Sequence, residues 1–419
     1  MKQMVAPAGR NYPLLLVGQF LGAFGDNFLL AAILGPLTYA LRDGKITEKV
    51  INGENALYGL VFSVPFIALA PVAGFLNDRM PKTRWLIGGN GIKLMGAAVG
   101  FLGVYVRGAG NHALQVAGYA IVGIGACVYS PAKYGILPEV VPSERLVKAN
   151  GTVEMLTLVA IVAGLGGGGI LYDRTLSLPI CYAASLILYA AAFAFNWAMQ
   201  ETPFNPEASL ARSAGEFARS FAALVRHPRL GRILLGSALF WFAGSTLRSA
   251  LQGWGLEVFA EAGIANVTNA KLVLLKVGLV AGIVAGSVLA GQLHRTGDLT
   301  WAKRYAFMLA AGFEALGLLS GRFGVFLCVI ALVATGTVAG LLVVPFNAAL
   351  QAETDPTKLG KTVSIQNFTD YIGIAAGAAF LSFLGRFNLG PAGDLVVLGG
   401  AVAATTLALR NFPAKGPTA

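Results

Sequence analysis

The residues with the clearest chemical meaning are charged side chains inside long apolar stretches. Asp26 and Arg248 each lie near the middle of such a stretch. If these stretches span a membrane, each charge costs about 2.5–3.5 kcal/mol at the bilayer centre on insertion scales, so it should be paired or face a cavity. Arg248 offers a planar set of donors that suits a phosphate, and Asp26 can accept an ammonium group. Alternatively, the two residues pair with each other and hold two parts of the chain together.

A second group of polar residues lies nearer the ends of the apolar stretches. Lys133 and Asp370 are predicted to meet as an ion pair that gates access to a cavity, and Glu154 is the rival partner for Lys133. Gln366 precedes Asp370 by about one helical turn and shares its face. We expect this group to control opening, with Lys133 also a candidate for binding a ligand. Lys93 is expected in a structural ion pair or with its ammonium extended toward the membrane surface.

The chain shows no catalytic or metal-binding pattern. Its three histidines are isolated, and none is followed by the H-x-x-x-x-D spacing of an acyltransferase. Gly164 to Gly169 matches G-x-G-x-x-G by letter, but it lies inside an apolar stretch without a preceding strand, which favours close helix packing over a dinucleotide site. We therefore expect neither an enzyme nor a cofactor.

The amino-acid composition indicates the class of protein to which these residues belong. Of 419 residues, 56% are apolar and only 12% are charged, with a mean hydropathy of +0.68. Soluble domains carry about 25% charged residues. A water-soluble enzyme and a disordered chain are therefore excluded, and an integral membrane protein is indicated.

Twelve apolar stretches are long enough to be spanning helices, since a span needs roughly 20 apolar residues. They lie at about 13–41, 57–77, 85–106, 114–137, 150–172, 177–198, 232–256, 272–293, 305–321, 323–350, 362–385 and 392–409. The loops on the side of the termini hold 19 Lys and Arg residues against 8 on the opposite side. Both termini are therefore predicted in the cytoplasm, and the net charge of +11 needs no nucleic acid to explain it.

The twelve stretches form two sets of six. Residues 1–198 and 232–419 are predicted as six-helix bundles, joined by a cytoplasmic segment at 199–231. Within that segment, apolar residues at helical spacing suit a short helix on the membrane surface, although a flexible linker fits equally well. Glu139 and Glu353 are 214 residues apart, and Glu154 and Asp370 are 216 apart, in similar local contexts. Such parallel repeats are typical of transporters that rock two halves around a central site.

A motif after the second stretch carries a family resemblance. Residues 74–84, GFLNDRMPKTR, resemble the signature G-x-L-x-D-R-x-G-R-R of the major facilitator superfamily, with Pro81 where glycine is usual. The resemblance implies an all-α membrane protein of twelve transmembrane helices, built as two six-helix bundles related by pseudo-two-fold symmetry. It also implies that Asp78 and Arg79 latch the cytoplasmic helix ends, and that helices 1, 4, 7 and 10 line the cavity.

A narrower resemblance covers almost the whole chain. Several blocks look like the bacterial lysophospholipid transporter family: 23–27 (AFGDN), 90–93 (NGIK), 129–137 (YSPAKYGIL), 146–151 (LVKANG), 239–241 (LFW), 246–248 (TLR), 343–347 (VVPFN) and 366–367 (QN). The block at 129–137 is long and specific. The chain departs from the family at Asp370, where glutamate is usual.

This resemblance implies a flippase that moves lysophosphatidylethanolamine and related lysolipids from the outer to the inner leaflet of the bacterial inner membrane, for reacylation by an acyltransferase. A monomer without nucleic-acid partners is expected. The expected substrate-binding residues are Asp26, Arg248, Asn27, Tyr129, Lys133, Trp241 and Asn347. The alternative is a proton-coupled drug or siderophore exporter of the same superfamily, with Asp26 or Glu154 titrating.

Overall fold

The computed structural model describes residues 8–106, 109–202, 213–264, 269–319 and 323–408, and this part of the chain is helical without strands. The α-helices are α1 (Ala8–Arg42), α2 (Glu48–Ala68), α3 (Ala70–Arg79), α4 (Lys82–Tyr105), α5 (Ala109–Gly135), α6 (Leu137–Val140), α7 (Leu146–Thr175), α8 (Leu178–Trp197), α9 (Ser213–Arg226), α10 (Leu230–Glu261), α11 (Asn269–Leu293), α12 (Ala302–Leu318), α13 (Val325–Glu353), α14 (Leu359–Leu384) and α15 (Gly390–Ala408).

Eleven helices within the described residues are long and apolar enough to cross a membrane. The predicted span that is not among these eleven is α12. Its length of 17 residues is at the short end of the usual range for a membrane-spanning helix. The second span breaks at Leu69, so that α2 and α3 are separate helices. Pro65 and Pro71 flank the break, and proline removes backbone hydrogen bonds from a helix. Arg322, in the short predicted gap between two spans, lies outside the described residues.

The described chain forms two compact units. Unit 1 comprises Met1–Val141, Leu156–Ala218 and Pro356–Asn367, and unit 2 comprises Pro142–Met155, Arg219–Asp355 and Phe368–Ala419. Each unit therefore contains a short segment from the other half of the sequence. The division into bundles at 1–198 and 232–419 stays a prediction.

The core of unit 1 is rich in tyrosine. Tyr58, Tyr119, Tyr182 and Tyr189 are all buried together with apolar residues of α1, α4 and α5. Close helix contact depends on glycine: a Cβ atom at Gly164 or Gly168 would collide with backbone atoms of α1. The glycine run on α7 is thus a packing surface, as predicted from its apolar context.

Unit 2 is held together by buried aromatic and ionic contacts. The indole of Trp254 is fully buried, and its Nε1 donates a hydrogen bond to the carbonyl of Leu316 at 2.9 Å. At the start of α10, Arg229 donates to both carboxylate oxygens of Glu353 at 2.7 and 2.9 Å. The same guanidinium also donates to the carbonyl of Gly297, so one side chain joins three segments.

Within the segment 199–231, the structure has a helix, α9. Phe217 is buried on one side of it, and Glu216 pairs with Lys361 at 3.0 Å. Arg219 and Arg226 are exposed on the other side. Residues 203–212 lie outside the described part of the chain, and the position of α9 on the membrane surface stays a prediction.

Candidate functional site

Asp26 lies in a buried polar network inside unit 1. Its Oδ2 accepts a hydrogen bond from Lys93 Nζ at 2.7 Å, and its Oδ1 accepts one from the hydroxyl of Tyr189 at 3.0 Å. The hydroxyl of Tyr119 donates to the backbone carbonyl of Asp26 at 3.2 Å. Three helices, α4, α5 and α8, thus converge on one residue of α1. A carboxylate so placed is strongly held in position and can exchange partners only if the network opens.

Lys93 is the main counter-charge of Asp26. It is only 3% exposed, and its ammonium also lies over the ring of Tyr129, 5.4 Å from the centroid. At Gly22 on α1, a Cβ would lie 3.1 Å from Asn90 Oδ1, so glycine lets α1 approach this part of α4 closely. Lys133, on α5, places its ammonium over the ring of Tyr134, 4.3 Å from the centroid.

Other residues predicted to bind substrate are placed differently. The amide of Asn27 donates to the carbonyl of Ala23 in its own helix at 2.9 Å. Arg248 and Trp241 are both exposed on α10. Within the described residues Arg248 makes no ion pair, so its guanidinium is available to an anion. Tyr129 is buried, which favours a role in holding Lys93 over direct contact with an acyl chain.

Asp78 caps the start of α14. Its Oδ1 accepts a hydrogen bond from the backbone N–H of Gly360 at 2.8 Å, and its two oxygens accept from that of Lys361 at 3.3 and 3.2 Å. These N–H groups are unpaired at a helix start and favour a negative charge. Asp78 lies beyond the apolar span, and burial raises the pKa of its carboxyl to about 6 despite the nearby charge of Lys82. Arg79 stacks on Phe75 at 5.7 Å.

Unit 2 contains a second group of polar residues, in which Ser237, Asp370 and Asn347 are buried and Glu154 is partly buried. The hydroxyl of Ser237 donates to Asp370 Oδ1 at 2.7 Å. Asn347 Nδ2 donates to Glu154 Oε1 at 3.3 Å. Gln366, also buried, belongs to unit 1. Because Lys133 lies in unit 1 and Asp370 in unit 2, the predicted gate between them stays a prediction.

Three members of these networks were not predicted from the sequence. Tyr119 on α5, Tyr189 on α8 and Ser237 on α10 are ordinary residues of apolar helices, and nothing in their spacing marks them. Lys93 was expected to pair, but its partner could not be named without the packing of α1 against α4.

The family model described as Major Facilitator Superfamily matches residues 15–378. The chain belongs to this superfamily. Solved structures have the same fold: the human organic anion transporter MFSD10 has a TM-score of 0.78 at 16% identity, covering 96% of this chain and 100% of that one. The E. coli Fucose:proton symporter FucP has a TM-score of 0.71 at 15% identity, with 94% and 97% covered. The predicted fold class is thereby confirmed, and the protein is a multi-pass membrane protein of a transporter fold.

Relatives that are similar along nearly the whole chain indicate a narrower family within the superfamily. The Lysophospholipid transporter LplT of Photorhabdus laumondii is 33% identical over 394 residues, which cover 91% of this chain and 88% of the relative. The proteins of that name from Serratia proteamaculans and Yersinia enterocolitica are 33% and 34% identical, covering 91% and 90% of this chain and 88% and 86% of the relatives. The resemblance to this family seen in the sequence is confirmed.

Proposed function

We propose that this transporter is a lysophospholipid flippase of the bacterial inner membrane. The observation that carries the proposal is the similarity to relatives of that name over about nine-tenths of the chain. We further propose that lysophosphatidylethanolamine moves from the outer to the inner leaflet, where an acyltransferase reacylates it. The Lys and Arg distribution supports cytoplasmic termini.

The charged network of unit 1 supports a zwitterionic substrate. A lysophosphatidylethanolamine head group carries an ammonium and a phosphate. The ammonium replaces that of Lys93 beside Asp26, and the phosphate binds the exposed guanidinium of Arg248. Such an exchange keeps the buried Asp26 carboxylate paired, which avoids the large cost of an isolated anion in a low-dielectric site, and it displaces the Lys93 ammonium from its partner.

The remaining predicted contacts complete the proposal. Trp241 is half exposed and next to Phe240, with the two rings 5.4 Å apart at a steep angle, and this aromatic surface covers part of the acyl chain. Asn27 and Asn347 add amide groups that can hydrogen-bond to the glycerol once they release their present acceptors. Lys133, Glu154, Gln366 and Asp370 form the proposed gate, and Asp78 with Arg79 forms the latch at the start of α14.

The alternative function is proton-coupled export of a drug or siderophore. One observation favours it: two solved structures of the same fold are described as proton symporters, and this chain also carries buried carboxyl groups. The curated relatives argue against it, because they are far more similar in sequence than those symporters.

The test is transport by the purified protein in vesicles. Labelled lysophosphatidylethanolamine is added outside, and the fraction that albumin can no longer extract measures movement to the inner leaflet. The proposal predicts faster protection than in protein-free vesicles. Efflux of cationic dyes driven by a proton gradient, without lysolipid movement, would establish the alternative.

A further inference from the structure

Asp370 is one of three buried acids within the described residues, with Asp26 and Asp78, and only 7% of it is exposed. Asp26 is paired with Lys93, and Asp78 accepts hydrogen bonds from the backbone N–H groups of Gly360 and Lys361 at a helix start. Asp370 instead has neutral partners from α10, the hydroxyl of Ser237 at 2.7 Å and the side chain of Trp241. Among the described residues, no lysine or arginine forms an ion pair with it.

A charged group of the same sign acts on Asp370. Glu154, on α7, is close enough for electrostatic repulsion to act between the two carboxylates. Asn347, from α13, donates to Glu154 and not to Asp370. Among the described residues, the side chains that act on the Asp370 carboxyl are thus one hydroxyl, one indole and one acid. None of them supplies a positive charge that would compensate an ionised Asp370.

A buried carboxyl group without a cation is far more stable in its neutral form. Loss of water penalises the ionised form, and a neighbouring carboxylate adds to that penalty. One hydroxyl donor offsets only part of it. Two adjacent acids in such surroundings ordinarily retain one proton between them.

The internal repeat supports a specific role for this pair. Glu154 and Asp370 are 216 residues apart, and they occupy corresponding positions in the two halves of the sequence. The structure brings both into unit 2, because the start of α7 packs there. Two acids that the repeat relates therefore belong to the same unit, Glu154 eight residues after Leu146 at the start of α7 and Asp370 eleven residues after Leu359 at the start of α14.

We propose that Asp370 is a proton-binding site of this transporter. Its carboxyl holds a proton at neutral pH in the conformation described, with Ser237 donating to the other carboxyl oxygen. On release, the O–H bond of the carboxyl breaks, the carboxylate keeps the electron pair, and the proton passes to water. The proposed contact with Lys133 needs the ionised form, so proton release precedes closure of that gate. This inference goes beyond the proposed function and does not depend on the identity of the substrate.

Infrared spectroscopy detects a proton on a carboxyl group directly and therefore tests this proposal. Infrared difference spectra of the purified protein in membranes are recorded as the pH is raised, and the band of protonated carboxyl groups is followed. Asp370→Asn should remove one such band that the native protein shows at pH 7. Equal spectra of the two proteins at pH 7 would show that Asp370 is ionised and would overturn the proposal.

Two milder variants keep the test decisive if Asp370→Asn folds poorly. Ser237→Ala removes the donor that stabilises the ionised form, so the band should persist to higher pH. Glu154→Gln removes the repelling charge, so the band should disappear at lower pH. Glu314→Gln, an acid on another helix, should leave the transition unchanged. Shifts of the first two variants in the same direction would contradict a proton site.

Discussion

Lys93 Nζ lies 2.7 Å from Asp26 Oδ2, and both side chains are almost completely buried. The ion pair joins α4 to α1, and Tyr189 of α8 completes it. Because both charges lie out of water, each depends on the other. A ligand that reaches Asp26 must therefore supply a positive charge in place of Lys93, which is the physical basis for expecting an amine-bearing substrate.

Removing one charge of this pair should cost much more stability than removing both. Lys93→Met leaves Asp26 buried without its counter-charge, which typically costs about 3–5 kcal/mol. The double variant Lys93→Met with Asp26→Asn should recover much of that loss. Thermal unfolding in detergent measures both effects.

The matched control is Arg84→Met, because Arg84 and Glu201 form an exposed pair at 2.7 Å. Arg84→Met should change the free energy of unfolding by no more than about 1 kcal/mol. A Lys93→Met variant that is as stable as this control would contradict the account of the pair.

Substitutions of Asp26 and of Arg248 should reduce the transport of different lysolipids. Arg248→Ala should abolish transport of every phosphate-bearing lysolipid, since the guanidinium is the proposed phosphate ligand. Asp26→Asn should impair the amine-bearing lysolipid more than lysophosphatidylglycerol. Initial rates for the two lipids in vesicles give the comparison. Recovery of transport in a charge-swapped double variant would show that the two residues only clamp each other.

Asp78 should impose a pH dependence on stability. Burial raises the pKa of its carboxyl from 3.8 to about 6, so the folded protein binds this proton more tightly than the unfolded chain. Its contribution to the free energy of unfolding is then fully present below about pH 4 and is lost as the pH rises through about 6. Asp78→Asn should flatten this part of the curve of unfolding free energy against pH.

The control for that measurement is Asp298→Asn. A hydrogen bond from Thr300 holds the pKa of Asp298 below its usual value. The change in unfolding free energy caused by Asp298→Asn should therefore occur at lower pH. An unchanged pH profile in Asp78→Asn would mean that Asp78 does not titrate in this range.

The proposed gate predicts a shift in conformation. Asp370→Asn should favour the inward-open form, because Lys133 loses its proposed partner there. Cysteines introduced into the inner cavity should then react faster with a water-soluble maleimide, and Lys133→Met should have the same effect. Glu314→Gln serves as the control. Unchanged labelling in both variants would rule out this gate.

Local patterns in the sequence predict the spans and the glycine packing well, although the second span is divided at Leu69. The latch at Asp78 is implied by the family resemblance. Apolar runs mark the helices, and the motif at 74–84 marks the turn. The partners of Asp26 and Asp370 could not be predicted. Which residues of two packed helices come into contact depends on how each helix is rotated about its axis and shifted along it. The contacts of Lys93 and Tyr189 with Asp26, and of Ser237 with Asp370, depend on that packing alone.

The central claim is that this protein moves lipids with a single acyl chain. A diacyl lipid exposes roughly twice the apolar surface, worth about 25 cal/mol per Å² when buried, and a cavity suited to one chain cannot cover both. The direct measurement compares labelled lysophosphatidylethanolamine and diacyl phosphatidylethanolamine in the same vesicles. The account predicts faster transport of the lysolipid by the native protein and loss of that advantage in Arg248→Ala. Equal rates for the two lipids would contradict it.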